Sequence, residues 1–315
     1  FSQIRVKVLA AVPGVSVVGY FDPGVHQRED VTKRFENIDE LLENIDAVII
    51  SVPPKLAPSY VVKALTLKRH VFCEKPAAIS VSELSVIEGY MSQDKILAYG
   101  FNHRQHQSII KMKSVIDQQL LGDILWMRGR YGKEVAEDYR DSWRCDLALN
   151  GGGILIDQGI HMVDLMSYLA GGFDGAQAVL SSRYLDKEGI DDNGFVTLFS
   201  TKTKISASIH TTVTQWRYLF SLEIFLEKGS MILNGLKTNS GSYGDEVLTI
   251  KPNGRFEGGI GLSEINYDSN ISWKEEMRAF INSIESSKPY PYANYDDALE
   301  TTKIIDLIYK EAVWL

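Results

Sequence analysis

Only two cysteines, Cys73 and Cys145, occur in the 315 residues, far apart and without metal-ligand spacing. A disulfide framework is excluded, and a reducing cytoplasm is the expected compartment. Long apolar runs are missing too. Stretches such as Ala47–Val52 are far too short to cross a bilayer. Positive charge is in the minority, 33 Lys and Arg against 41 Asp and Glu, for a formal net charge of −8. General affinity for nucleic acid or an anionic membrane needs a basic face, so neither is an expected partner, although a local basic pocket is compatible with the net charge. There is no internal repeat, low-complexity tract or Gly/Ser linker. The histidines His26, His70, His106 and His210 show no ligand spacing, so no metal is expected. The chain opens at Phe1 without a methionine, which leaves room for a targeting signal or a first strand upstream.

What is present reads as two domains. In the first hundred residues, short apolar runs alternate with helical patterns. Val15–Phe21, Ala47–Val52, Val71–Cys73 and Ile96–Tyr99 read as strands; Ile38–Glu43, Ser59–Leu67 and Val81–Gln93 carry apolar residues at three- and four-residue spacing. Ser80, Ser82 and Glu83 mark the start of the last helix. Strands apolar on both faces and separated by helices predict a parallel, doubly wound sheet. After about residue 104 the pattern changes. A helix over 108–119 is followed by a strand over 124–131, three glycines at 151–153, and a helix to about Leu169. Alternating segments then follow over 176–184, 194–200, 204–212, 221–227, 230–233 and 247–250, with closing helices near 273–286 and 296–313. The expectation is an α/β chain: a Rossmann-type domain over 1–103, and an α+β domain over 104–315 built on a large, mostly antiparallel open sheet for substrate binding and assembly.

Three local sequences, in order and spacing, carry a resemblance. They are Val48-Ile49-Ile50-Ser51-Val52-Pro53, then Val71-Phe72-Cys73-Glu74-Lys75-Pro76, and Gly151-Gly152-Gly153 leading to Asp157 and His161. Together with Gly100–Arg104 and Ser272-Trp273, they are similar to the glucose–fructose oxidoreductase and inositol dehydrogenase family over nearly the whole chain. Trp143-Arg144 and Ser240–Gly244 look most like members acting in surface-polysaccharide sugar synthesis. The glycine-rich dinucleotide loop that opens this family is not among residues 1–315; Phe1–Ile4 would fall just past it. Ala57 stands where many relatives carry a histidine.

The resemblance implies NAD as cofactor, with NADP less favoured, and assigns roles. Asp22, closing an apolar run, would accept hydrogen bonds from ribose hydroxyls and repel a 2′-phosphate; as Asp-Pro it is equally a turn opener, and Arg28 nearby leaves dual use open. Ser51, Pro53, Glu74, Lys75 and Asn102, at strand ends, are the further cofactor-binding candidates. Lys75 would hold the reacting oxygen and stabilise developing alkoxide charge, against the ordinary fate of a solvated lysine. Glu74 would orient Lys75 or touch the ribose. Asp157 and His161, four apart on a predicted helix, share a face. The carboxylate would fix the imidazole tautomer for general-base work; a surface pair is the plain alternative. Asn102 and His103 would flank the nicotinamide, with loop capping equally open. Arg144, Trp216 and Arg217, with Trp143 and Tyr218, would line a sugar pocket, although core packing is the commoner fate of a tryptophan. Cys73 reads as a buried strand residue.

The leading function is oxidation of a secondary alcohol of a sugar, cyclitol or nucleotide-linked sugar, or reduction of the ketone. His161, Asp157 and Lys75 would serve the proton while hydride passes to the nicotinamide. An NAD-assisted glycosidase and a non-catalytic NAD/sugar-binding regulator are the alternatives from other classes. Relatives pair through the second-domain sheet, so a homodimer or homotetramer is expected, with Ile205, Ile209, Leu222, Ile224 and Leu226 needing cover on either face.

Overall fold

A computed structural model of the chain describes residues 2–24, 31, 33–238, 241–254 and 261–315; His26, Arg28 and Ser240 lie outside that set. The first elements are α1 (Ser2–Leu9), α2 (Ile38–Glu43), β1 (Ala47–Ile50), α3 (Ala57–Thr66), β2 (His70–Glu74), α4 (Val81–Leu84) and β3 (Leu97–Gly100). The strands pair in the order β1-β2-β3, all parallel, as short runs apolar on both faces require when helices join them. Ser80 caps α4 by accepting from the Glu83 amide. The helix expected to Gln93 instead passes at Ser85 into a 3₁₀ turn ending at Tyr90, where β-branched Val86 and Ile87 and the flexible Gly89 lower helix propensity. The strand expected over Val15–Phe21 is not formed. Tyr20 alone bridges Arg34 in parallel, with the Tyr20 amide on the Lys33 carbonyl and the Phe35 amide on the Tyr20 carbonyl. Among the described residues no longer neighbour takes the backbone groups of this apolar run, and it does not become a strand.

The rest of the chain runs α5 (Gln107–Asp117), β4 (Ile124–Gly132), α6 (Leu147–Asn150), α7 (Ile160–Ala170), β5 (Gly175–Ser181), β6 (Asn193–Phe199), β7 (Ser206–Thr212), β8 (Leu219–Leu226), β9 (Gly229–Asn234), β10 (Glu246–Pro252), β11 (Ser263–Tyr267), α8 (Ser272–Ser286), α9 (Tyr295–Glu311) and β12 (Ala312–Trp314). One sheet takes the strands in the order β11-β10-β9-β8-β4-β7-β6-β5-β12. It is antiparallel except where β4 meets β7 and β12 meets β5. The last helix therefore stops at Glu311, two residues earlier than its pattern suggests, and the chain end adds an edge strand.

Alternation along these strands puts one face inward. Ile205, Ile209, Leu222, Ile224 and Leu226 are all buried by the chain's own core, so they need no partner and the expectation placed on them is corrected. The opposite face carries the other phase: Trp126 stacked on Phe225 at 4.0 Å and Phe195 stacked on His210 at 4.2 Å, with Phe195 55% exposed.

The two sheets are tied together by the returning helices. Phe72 and Ala98 of the first sheet pack with Met277 and Phe280 of α8 and with Tyr290 in one buried cluster. The chain thus comes back to cover the parallel sheet before its end returns to the large sheet as β12. Among the described residues, no helix is long and apolar enough to cross a membrane.

Ahead of α7, Asp191 holds the glycine segment. Its carboxylate accepts from the Gly153 and Leu155 amides, each at 2.8 Å, and from the Tyr309 hydroxyl at 2.7 Å. The backbones touch so closely that a Cβ on Gly153 would lie 1.9 Å from the Asp191 carbonyl oxygen. Gly153→Ala is therefore expected to cost about 1–3 kcal/mol or more, the scale of overpacking a tight site, and to lower the thermal midpoint. Gly89→Ala, with nothing within 4 Å of the new atom, should stay within about 0.5 kcal/mol of the parent. Equal midpoints for the two variants would contradict the close approach.

Candidate active site

Lys75 leaves the carboxyl end of β2, where side chains of an open parallel sheet face a ligand crevice. Its Nζ donates to the backbone oxygen of Asp157 and lies 3.9 Å from Asp157 Oδ1. Asp157 sits in a single π-helical turn, Leu155–Gly159, directly before α7, a distortion common at functional sites. Its Oδ2 is approached by Lys133 Nζ at 3.4 Å, Arg144 Nε at 3.5 Å and the Tyr139 hydroxyl at 3.5 Å. Burial works against the Asp157 charge, but Lys133, Lys75 and Arg144 outweigh it and hold the carboxyl below its ordinary value. Lys75 and Lys133 are lowered, first by burial, while Asp157 pulls both back up.

His161, in the first turn of α7, is 6% exposed. Its ring lies flat on that of His103, with centroids 3.8 Å apart and planes at 13°. Its Nδ1 is buried without a hydrogen-bond partner. Burial, then the neighbouring His103 and Lys75, push the imidazole well below its ordinary value, so it is neutral at pH 7. His103 is held in turn: Nε2 meets the Tyr131 hydroxyl at 3.0 Å and Nδ1 meets Asn102 Oδ1 at 3.1 Å.

The structure thus brings Lys75, Asp157, His161 and Arg144 together as expected, but with different pairing. No hydrogen bond joins Asp157 to His161. Two lysines and an arginine compete for the carboxylate, and a neutral imidazole loses to them. Glu74 and Asn102 stand at the strand ends, yet their side chains turn inward. Glu74 accepts from Arg5 Nε at 2.8 Å, and Asn102 donates to Ser272 Oγ at 3.1 Å. Ser51 and Pro53 follow β1 on the same edge. Asp22 accepts from the Gly24 amide at 2.9 Å, the local bond of a turn opener. Trp216 and Arg217 lie outside the cluster. Trp216 is 60% exposed and meets Tyr184 edge-on, and Arg217 is exposed beside it. Cys73 is buried, and burial raises its thiol out of the reactive range.

Sequence reasoning missed Lys133 and Tyr139. Lys133 had a signal: it continues the inward phase of Met127, Gly129 and Tyr131 along β4, where a lysine is out of place unless it serves a site. Tyr139, on an irregular segment, had none.

Two neutral buried imidazoles make stability depend on acid. In the unfolded chain His103 and His161 take up protons near pH 6.5; in the fold burial lowers both well below that. The unfolded state therefore binds more protons as pH falls, so this stability is complete above about pH 6.5 and is lost below it, by up to about 1.4 kcal/mol per pH unit for each ring. His103→Gln should give a shallower fall of thermal midpoint between pH 7 and 5 than the parent; an unchanged slope would contradict the assignment.

Comparison with known proteins identifies the family. Residues 3–101 match the oxidoreductase family with an NAD-binding Rossmann fold, and residues 109–232 match the GFO/IDH/MocA C-terminal domain. Glucose-6-phosphate 3-dehydrogenase of Bacillus subtilis is 31% identical over 53% of this chain and 50% of its own length. Thus the match spans only half of that relative. Myo-inositol 2-dehydrogenase of Thermotoga maritima is 26% identical over 82% of the chain and 76% of its own length. A 3-ketoreductase of Actinomadura kijaniata, solved in complex with NADP and TDP-benzene, superposes with a TM-score of 0.82 at 18% identity, covering 99% of this chain and 94% of that one; at that identity the likeness is one of fold. The chain belongs to the GFO/IDH/MocA family of oxidoreductases, with an NAD-binding Rossmann fold in its N-terminal part.

Proposed function

We propose that the chain is an NAD-dependent oxidoreductase acting on a secondary alcohol, or the matching ketone, of a sugar, cyclitol or nucleotide-linked sugar. The observation that carries this reading is a buried, neutral His161 with an unsatisfied Nδ1, packed in one cluster with Lys75 at the carboxyl edge of a parallel sheet. The residues present fit the cofactor. The ends of β1 and β2 put Ser51, Pro53 and Lys75 on one edge, and the carboxylate of Asp22 favours ribose hydroxyls over a 2′-phosphate. When bound, nicotinamide supplies the hydride acceptor or donor. The protein does the rest. The Lys75 ammonium, anchored on the Asp157 backbone oxygen, holds the substrate oxygen and stabilises negative charge developing on it. An imidazole nitrogen of His161 takes the hydroxyl proton. Ionised Asp157 keeps Lys75 charged and placed, while the stack on His103 fixes the plane of the base.

Dehydrogenases of a sugar phosphate and a cyclitol among the relatives support the substrate class. A nucleotide-linked sugar of the kind used for surface polysaccharides is the finer form of the reading, supported by the neighbour solved with TDP-benzene. The open, aromatic-bearing face of the large sheet supports assembly as a homodimer or dimer of dimers.

His161→Ala is expected to lower turnover by roughly 10²–10⁴-fold, the usual worth of a positioned acid–base group, with little change in NADH affinity. Lys75→Ala should be at least as damaging and should weaken NADH binding as well. Turnover, NADH titration and thermal melts are read together, so that unfolding is separated from lost chemistry. A folded His161→Ala protein with near-parental turnover would remove the residue from the mechanism.

A further inference from the structure

We propose that Lys133 and Arg144 form a subsite for an anionic group, a carboxylate or a phosphate, carried by the sugar substrate. The inference rests on the oxidoreductase reading above and deepens it by naming the substrate class.

Three cations from three separate stretches of chain converge on one carboxylate: Lys75 after β2, Lys133 after β4 and Arg144 in a 3₁₀ turn. They divide by side. Lys75 is on Oδ1 of Asp157, toward the backbone oxygen it also binds, whereas Lys133 and Arg144 are both on Oδ2. Lys75 alone meets the need for a cation at the reacting oxygen. The other two therefore require a different explanation.

Neither makes a tight bond to Asp157. They stand at 3.4 and 3.5 Å, well beyond the about 2.7–2.9 Å of a close charge-assisted hydrogen bond. Lys133 spends one donor on a long hydrogen bond to Oδ2, and Arg144 makes only the looser ion pair. The Lys133 backbone is clamped on both sides, its amide on the Thr212 carbonyl and its carbonyl taking the Gln215 amide, and its ammonium lies 4.6 Å from the centre of the Tyr139 ring. The Arg144 guanidinium lies 4.4 Å from the centre of the Trp143 ring, and its carbonyl accepts from Asn150 Nδ2. Lys133 is nearly buried, with its side chain 11% exposed, while Arg144 at 27% reaches toward solvent. A bound anion would thus touch a fixed inner cation and a more accessible outer one.

The energetics point the same way. Burial, and then the neighbouring cations, disfavour the charge of Lys75 and Lys133, and a further anion relieves that cost. The guanidinium fork and the ammonium match carboxylate and phosphate oxygens, whereas the hydroxyls of a neutral sugar need no net charge. With a formal net charge of −8 over the whole chain, this concentration of positive charge is local. It would also favour entry of a negatively charged substrate over a neutral one.

The test is calorimetric binding of glucuronate, glucose 6-phosphate and glucose to the protein saturated with NADH, which stops turnover. At least one of the two anionic sugars should bind roughly tenfold or more tightly than glucose, the scale of one bond to a charged group, and the preference should shrink as salt is raised. Which anion binds better separates a carboxylate subsite from a phosphate subsite. Lys133→Met should abolish the preference, and Lys133→Arg should retain much of it, with thermal melts checking that both fold. Equal binding of glucose, no binding of either anion, or a preference unchanged in Lys133→Met would overturn the proposal. Turnover assays with NAD keep the two readings apart. NADH formed from myo-inositol or glucose without anion preference leaves the oxidoreductase standing and removes the subsite. Anion binding with no NADH from any of these sugars keeps the subsite and counts against the oxidoreductase.

Discussion

A buried carboxylate, Asp157, set among Lys75, Lys133 and Arg144 is the constraint on which the arrangement of the site depends. An ion taken out of water is tolerated only where opposite charge is close, so this one acid fixes where three distant stretches must end. The β2 end brings Lys75, the inward phase of β4 brings Lys133, and the segment before α6 brings Arg144. The acid is itself placed from behind. Asp191 takes the Gly153 and Leu155 amides, and glycine at 153 lets the two backbones meet. Loss of Asp157 would leave three cations facing one another, a larger disturbance than the loss of one surface pair.

A second buried network fixes the other side of Lys75. Arg5, 1% exposed, is bonded to Glu74 at 2.8 Å and paired with Glu276 of α8 at 2.8 Å. Its guanidinium lies between the rings of Phe72 at 4.4 Å and Trp273 at 4.3 Å. The shared guanidinium does not fully offset the desolvation of Glu276. Burial pushes the Glu276 carboxyl up to about 8 against the pull of Arg5. The consequence is mechanical. Glu74 immediately precedes Lys75, so the α8 helix, far along the chain, sets the point from which the Lys75 side chain departs. Asn102 reaches the same helix through Ser272, so both strand ends behind the site are tied to one element.

Much of this was legible in the sequence where local pattern decides the outcome. The parallel strands β1, β2 and β3 lie close to their apolar runs, and β4 to β10 follow their alternation. Lys75, Asp157, His161 and Arg144 were identifiable because motif and spacing place them, and they converge. What was not legible depends on long-range competition. Spacing of four marked Asp157 and His161 as a pair on one helix face, but could not reveal that Asp157 would sit in a π turn among Lys133 and Lys75 or that His103 would stack on the imidazole. Val15–Phe21 has strand composition, yet among the described residues it is paired only by the Tyr20–Arg34 bridge. Trp216 and Arg217 have suitable chemistry for a sugar, yet the loop that carries them turns both outward, and loop direction leaves no periodic trace.

The most direct test of this account is the pH dependence of turnover in Asp157→Asn beside the parent. In the structure Asp157 supports the charge of Lys75 and does not pair with His161. Removing the negative charge should lower the Lys75 pKa further, since Asp157 is the foremost group raising it against burial. The alkaline limb should therefore move to lower pH, while the acid limb set by His161 stays in place. An acid limb that moves while the alkaline limb holds would mean that the carboxylate serves the histidine after all, and would contradict the account.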